Sequence, residues 1–350
     1  MNTPPPAWQA WEQRARQLAA RFDGLWHAGT FDYRQPLRLQ GGAPRRLRRP
    51  YTVPVHYTDW GAPAAPLLVC CGGVANTAAR FSFLAADLQR AGHRVVCLDW
   101  LGRGLSGWLA DDHEYGLETG VEQLQQLIEH LGGGAVSLLG SSLGGTVAIE
   151  LAARRPDLVS RLVLNDVGPY IPRARRWRRS HTLARWYVFR SPAEIMRRVG
   201  ASQKNDGPAS EDVRHFLAWH STRWSPADGG RVYRHDPRAL LAYRRDAAHA
   251  VDQWASWAQV LCPVLLLHGM QSDALSARTI ARMQRSKPLA LAHIPDTGHT
   301  PLLHDRHQTA TVAAWLHGDA APFELSIPYA GPRRPAPARD RVQSGPAPSR

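Results

Sequence analysis

One stretch, AVSLLGSSLGGTVAIELAARRP at residues 135–156, limits most strongly what this chain can fold into. The apolar run Ala135–Leu139 passes directly into Gly140-Ser141-Ser142-Leu143-Gly144 and then into the helix-like segment Leu143–Ala153. Buried strand, glycine turn and helix in that order form a βα unit. The glycines are required because the turn is too tight for side chains on either side of its central residue, which it holds in strained backbone geometry. That central residue is Ser142, presented as a candidate nucleophile; Ser141 occupies a flanking position and projects elsewhere.

The same alternation runs along most of the chain. Strand-like segments are Thr52–Tyr57, Leu67–Cys71, Arg94–Leu98, Arg161–Leu164, Val260–Leu267 and Leu289–Ile294. Helix-like segments are Phe81–Ala91, Leu117–Leu131, Ala277–Met283 and Thr309–Leu316. Strands that are apolar at every position, each followed by a helix, predict an α/β fold with a mostly parallel sheet covered by helices on both faces. The pattern lapses between about Pro169 and Trp257, where Arg, Trp and His are frequent, no β-runs occur, and Ser-Pro, Gly-Pro and Asp-Pro pairs divide short helix-like pieces. We expect a helical cap inserted at 169–257, with the core at 51–168 and 258–318. An extension at 1–50 carries an amphipathic helix, with Trp8, Trp11, Ala15, Leu18, Phe22 and Leu25 on one face, expected to dock on the main domain. Residues 319–350, rich in Pro, Ala, Arg and Ser, are expected to form a disordered tail.

With strand before and helix after, the turn around Ser142 resembles the nucleophile elbow of the α/β-hydrolase superfamily, over about residues 52–318. The resemblance implies the α/β-hydrolase fold and the chain order Ser, acid, His. After Val260–Leu267 comes His268-Gly269-Met270-Gln271-Ser272-Asp273, which puts the acid at Asp273. After Leu289–Ile294 comes Pro295-Asp296-Thr297-Gly298-His299, which puts the base at His299. Asp166, in the turn after Arg161–Leu164, is the rival acid, because carboxylates there reach the histidine in some relatives. A serine hydroxyl needs a neutral imidazole to take its proton, and a carboxylate to fix the tautomer and stabilise the imidazolium. The oxyanion hole would combine the Leu143 amide with one from Cys71-Gly72-Gly73-Val74. Aligning Cys71-Gly72 with the family's His-Gly selects Gly73, and Val74 stays open because cysteine cannot brace the loop as the histidine does.

Gly102, Gly104 and Gly107 spell a G-x-G-x-x-G string, but no helix starts inside it, and Asp99–Ser106 resembles a loop common beside hydrolase sites; no cofactor is expected. No metal site is expected either, since His304 and His307 have no further ligands at zinc-like spacing. The four cysteines, Cys70, Cys71, Cys97 and Cys262, lie in or beside apolar runs and make no CxxC pair, so they read as free thiols in a reducing cytosol. The N-terminus lacks a basic segment followed by an apolar one, and no apolar stretch approaches the roughly 20 residues that span a bilayer. A cytoplasmic protein without a transmembrane segment is expected.

The formal charge is +14, carried almost wholly by arginine, since lysine occurs only at 204 and 287. Arginines at 173, 175, 176, 178 and 179 open the cap. Interleaved with Trp177, Trp186, Tyr187 and Phe189 they would suit nucleic-acid binding, yet no nucleic-acid motif accompanies them, and a solvated face above a substrate chamber is the preferred reading. The expected activity is a serine hydrolase cleaving small carboxylic esters or lactones, with acidic ones favoured. Carbon–carbon and thioester hydrolysis use the same residues, and a non-catalytic arginine-rich binding module is the alternative of another class.

Overall fold

The computed structural model describes residues 4–36 and 51–331, with backbone alone at 202–204. Nine strands form the central sheet: β1 (Trp26–Gln35), β2 (Tyr51–Trp60), β3 (Leu67–Cys71), β4 (Arg94–Leu98), β5 (Val136–Ser141), β6 (Val159–Asn165), β7 (Val264–Gly269), β8 (Ala290–Ile294) and β9 (Glu324–Ser326). Their order is β1-β2-β4-β3-β5-β6-β7-β8-β9. β2 runs antiparallel to β1 and β4, and the remaining pairings are parallel. This is the α/β-hydrolase architecture, a mostly parallel sheet flanked by helices.

Side-chain alternation along these strands divides the core into two layers. Val69, Val96, Leu138, Leu164 and Leu266 face one way, against helices α3 (Leu117–His130), α4 (Leu143–Arg154) and α10 (Ala277–Ser286). Leu68, Val95, Leu139, Val163 and Leu267 face the other, against α2 (Ser82–Arg90) and α11 (Arg306–His317). Both faces are covered, which is why the strands are apolar at nearly every position.

The insertion after β6 is tied shut at its base, where Tyr170–Ile171 pairs antiparallel with Val251–Asp252. It contains α5 (Arg173–Leu183), α6 (Pro192–Asp206), α7 (Glu211–His220) and α8 (Pro237–Asp246). It is not wholly helical. Val188–Phe189, Gly230–Tyr233 and Thr222–Ser225 make a small antiparallel sheet. These strands are two to four residues long, too short for a period-2 pattern to register. The expected boundary at 257 also moves, because α9 (Trp254–Gln259) belongs to the core: Ser256 Oγ donates to Glu150 of α4 at 2.8 Å and Trp257 is buried.

At the N-terminus α1 (Pro6–Ala19) begins with Pro at its first position, where the missing N–H costs nothing. Its docking differs from expectation. Trp8 and Trp11 pack against Phe189, Ile195 and Ala218 of the cap, while Leu18 and Phe22 join the core layer beneath. Glu12 accepts from the buried guanidinium of Arg231 in the cap sheet. The helix therefore spans cap and core. β1 was not expected at all, its polar–apolar mixture reflecting an edge strand with one exposed face.

The expected disordered tail is corrected in its first part. β9 extends the sheet beside β8, Ile327 is buried, and its N–H donates to His293 O at 2.8 Å. Backbone pairing holds this segment although its composition has little apolar periodicity. The expectations for 37–50 and 332–350 lie outside the described residues. No described helix is long and apolar enough to cross a membrane.

Candidate active site

Ser142 sits between β5 and α4 with φ 53° and ψ −114°, a strained conformation for a residue with a Cβ. The strain is imposed by close packing. A Cβ on Gly144 would stand 2.1 Å from the carbonyl oxygen of Cys71 in β3, so only glycine lets the helix start this near the sheet. The hydroxyl is thereby lifted off the sheet edge toward the loop after β8. His299 comes from that loop, and its Nε2 lies 3.0 Å from Ser142 Oγ. The structure thus brings together the two residues that spacing had singled out.

The acid does not fall where expected. His299 Nδ1 lies 2.9 Å from Asp166 Oδ2, and Asp166 is fully buried directly after β6. Its other contacts complete a cradle: Gly269 N–H donates to Oδ1 at 2.9 Å and Ser272 Oγ to Oδ2 at 2.5 Å. Asp166 takes φ 54°, which aspartate tolerates better than most residues, and its N–H is fixed to Leu267 O at 2.8 Å. Asp273 lies four residues past the end of β7, beyond a turn closed by Ser272 N–H to Gly269 O. Its side chain is 62% exposed and accepts from Arg175 of the cap at 3.2 Å and 3.3 Å. The turn carries Ser272, not Asp273, into contact with the histidine's partner. In the present fold Asp273 fastens the cap to the core.

Burial dominates the electrostatics of His299 and holds its pKa below the usual histidine value; the Asp166 hydrogen bond opposes this, and the Arg175 charge adds to it. The imidazole is therefore neutral near pH 7, with Nδ1–H donated to Asp166 and a free lone pair on Nε2 toward the serine. This arrangement can take a proton from Ser142 Oγ and shelter the resulting imidazolium.

The amide expected from Gly73 is engaged elsewhere. Gly73 N–H is committed to the side-chain oxygen of Asn76 at 2.9 Å. Among the described residues, no acceptor occupies the N–H of Val74 in the same loop, or that of Leu143 at the first position of α4, where no intrahelical partner exists. The loop is braced from below by Trp100, whose indole N–H donates to Gly72 O at 2.8 Å. Trp100 fills the bracing role that cysteine at 71 cannot.

The glycine string at 102–107 wraps a carboxylate rather than a phosphate. Asp99 accepts from the N–H groups of Ala78 (2.7 Å) and Leu105 (3.0 Å) and pairs with His56 (2.8 Å). A Cβ on Gly104 would collide with that carboxylate at about 2.1 Å.

Residues 66–305 match the family model described as the alpha/beta hydrolase fold. The chain belongs to this family. It is 32% identical over 273 residues to a protein of Cupriavidus necator named 3-hydroxybutyrate-oligomer hydrolase, covering 75% of this chain and 92% of the relative. It is 28% identical to the N-formylmaleamate deformylase of Pseudomonas putida, covering 70% of this chain and 85% of that one. Among solved structures, a putative hydrolase from Rickettsia typhi superposes with a TM-score of 0.76 at 22% identity, covering 83% of this chain and 98% of the other. As an α/β hydrolase, the protein is a hydrolytic enzyme.

Proposed function

We propose that this α/β hydrolase cleaves small carboxylic esters or lactones through an acyl-enzyme on Ser142. The observation that carries the reading is the continuous chain from Ser142 Oγ to His299 Nε2 and from His299 Nδ1 to Asp166, at 3.0 Å and 2.9 Å, with the acid fully buried. Ser142 Oγ attacks the ester carbon while its proton passes to Nε2. The carbon–oxygen ester bond then breaks, and the proton on Nε2 goes to the departing alcohol oxygen. Water enters, yields a proton to Nε2 and bonds to the acyl carbon; Oγ leaves with that proton and the free acid is released. Asp166 holds the imidazole tautomer throughout, and the amides of Leu143 and Val74 stabilise the oxyanion.

The relative named for an oligomer of a hydroxy acid makes hydroxy-acid esters the first substrates to try. Four free thiols, three of them buried, suit a cytoplasmic setting. The test is labelling with a fluorophosphonate, peptide mapping of the adduct, and kcat/KM across esters of increasing acyl length with a matched thioester. Labelling at Ser142 with ester turnover is expected. A protein left unlabelled, or labelled elsewhere, would refute the assignment.

A further inference from the structure

Ser142 stands where two cavities of similar size meet, one of about 350 Å³ and one of about 330 Å³. Val74, Arg175 and Tyr243 border both. The first cavity is walled largely by apolar side chains, among them Trp100, Leu101, Leu117, Val147 and Ile171. Two of its three arginines are tied to backbone: Arg103 donates to the carbonyls of Val74 and Leu101 at 3.0 Å and 2.8 Å, Arg176 to those of Asp246 and His249 at 2.8 Å and 2.6 Å; the third, Arg175, is held by Asp273.

The second cavity is different. Arg80, Arg175, Arg179 and Arg198 all border it, against the carboxylate of Asp206, with Asp273 behind Arg175. Three of the four guanidiniums are engaged. Arg80 donates to Asp206 at 3.0 Å and to Thr300 O at 2.6 Å. Arg175 holds Asp273. Arg198 lies over the Tyr187 ring at 4.3 Å. For Arg179, among the described residues, no acceptor lies within hydrogen-bond distance; burial and the neighbouring Arg175 charge disfavour its charged form, and the more distant charges of Asp206 and Asp273 offset this only in part. A half-buried guanidinium with no hydrogen-bond acceptor among the described residues, in a cavity where cations outnumber carboxylates, is a site for an anion, and a carboxylate matches its fork.

The direction of the reaction decides which half of the substrate meets Arg179. His299 borders the second cavity and not the first. The group that receives the proton from His299 Nε2 is the leaving alcohol, so the alcohol half occupies the second cavity and the acyl chain the first. We infer that this enzyme selects esters whose alcohol half carries a carboxylate, held by Arg179, with an uncharged acyl chain in the apolar cavity. The inference rests on the acyl-enzyme reading of Ser142.

The test compares kcat/KM for three esters: the O-butyryl ester of a 3-hydroxy acid, the primary amide of that compound, and the monobutyl ester of succinate, which carries its carboxylate on the acyl side. Wild type is expected to favour the first over the amide by about 10- to 100-fold, the range of one charge-assisted hydrogen bond. Monobutyl succinate should fall below the amide, and added salt should shrink the preference. Arg179→Gln should bring the acid-to-amide ratio near one and Arg179→Lys should keep part of it, with thermal melts showing that both variants fold. A wild-type ratio near one, a ratio that survives Arg179→Gln, or a preference for the succinate ester overturns the inference while esterase activity stands. If none of the esters is cleaved and Ser142 takes no label, the acyl-enzyme reading itself fails, and the inference with it.

Discussion

The strand ends of the core and the cap above them handle charge in opposite ways. At the strand ends, charge is scarce and fully enclosed: Asp166 is buried, with three partners fixing its two oxygens. Where the cap begins, charge is abundant and more loosely held: Arg175 reaches an exposed Asp273, Arg179 has no hydrogen-bond acceptor among the described residues, and Arg176 leans on carbonyls. The first arrangement suits proton transfer, which needs one geometry maintained to a few tenths of an ångström. The second suits recognition, in which a substrate supplies the missing counter-charge. On the proposed function, reaction chemistry and substrate choice reside in different layers of the fold, joined by α1, which packs against both.

Breaking the core layer should have the largest effect. If Ser142 is the nucleophile as proposed, Ser142→Ala is expected to lower kcat by about 10⁶, the loss found when a subtilisin loses its serine, whereas Ser141→Ala should stay within tenfold, since Ser141 Oγ faces Asn165 at 3.1 Å and not the histidine. Equal losses in the two would relocate the nucleophile. The joint between layers comes next. Trp8 is buried against Trp11 and Trp224, and Trp8→Ala should cost about 3–5 kcal/mol by denaturant titration, with loss of cap order preceding loss of the sheet. A cost below 1 kcal/mol would show that the strap does not hold the layers together. Truncation before residue 319 strips β9 and exposes the pocket of Ile327; about 2 kcal/mol of stability should be lost, and an unchanged melting temperature would contradict the pairing with β8. The smallest effect is a displacement along the pH axis. Because burial lowers the His299 pKa, the base is neutral over a wider range, and kcat/KM should rise with pH along an acid limb with its midpoint below 6.5. A limb centred above 6.5 would mean that the Asp166 charge outweighs burial.

Legibility follows the same division. The core strands were readable because two covered faces force every position to be apolar, and the elbow was readable because its glycines answer a steric demand that no other residue meets. Asp166 and Asp273 could not be ranked with certainty from sequence. Each follows a parallel strand, and the choice depends on a turn at Gly269–Ser272 whose side-chain direction is set in three dimensions. Asn76 was illegible for a like reason: its contact with the Gly73 amide is a short-range loop interaction with no periodicity. The small cap strands, β1 and β9 escaped because edge and miniature strands are held by backbone pairing and carry too little apolar alternation to show a strand period. The arginine-rich start of the cap was plain from composition, but only packing distinguishes Arg179, which borders the second cavity, from Arg175 and Arg176, whose guanidiniums are held by Asp273 and by backbone carbonyls.

The most direct test of the account compares two single substitutions, Asp166→Asn and Asp273→Asn, on one neutral ester. Both preserve side-chain shape. With Asp166 holding the His299 tautomer, Asp166→Asn should reduce kcat by about 10⁴, as loss of the acid does in serine proteases, while Asp273→Asn loosens a rim contact to Arg175 and should cost less than tenfold. A large loss in Asp273→Asn with near-normal turnover in Asp166→Asn would contradict the assignment of the acid, and with it the hydrogen-bonded chain on which the proposed mechanism stands.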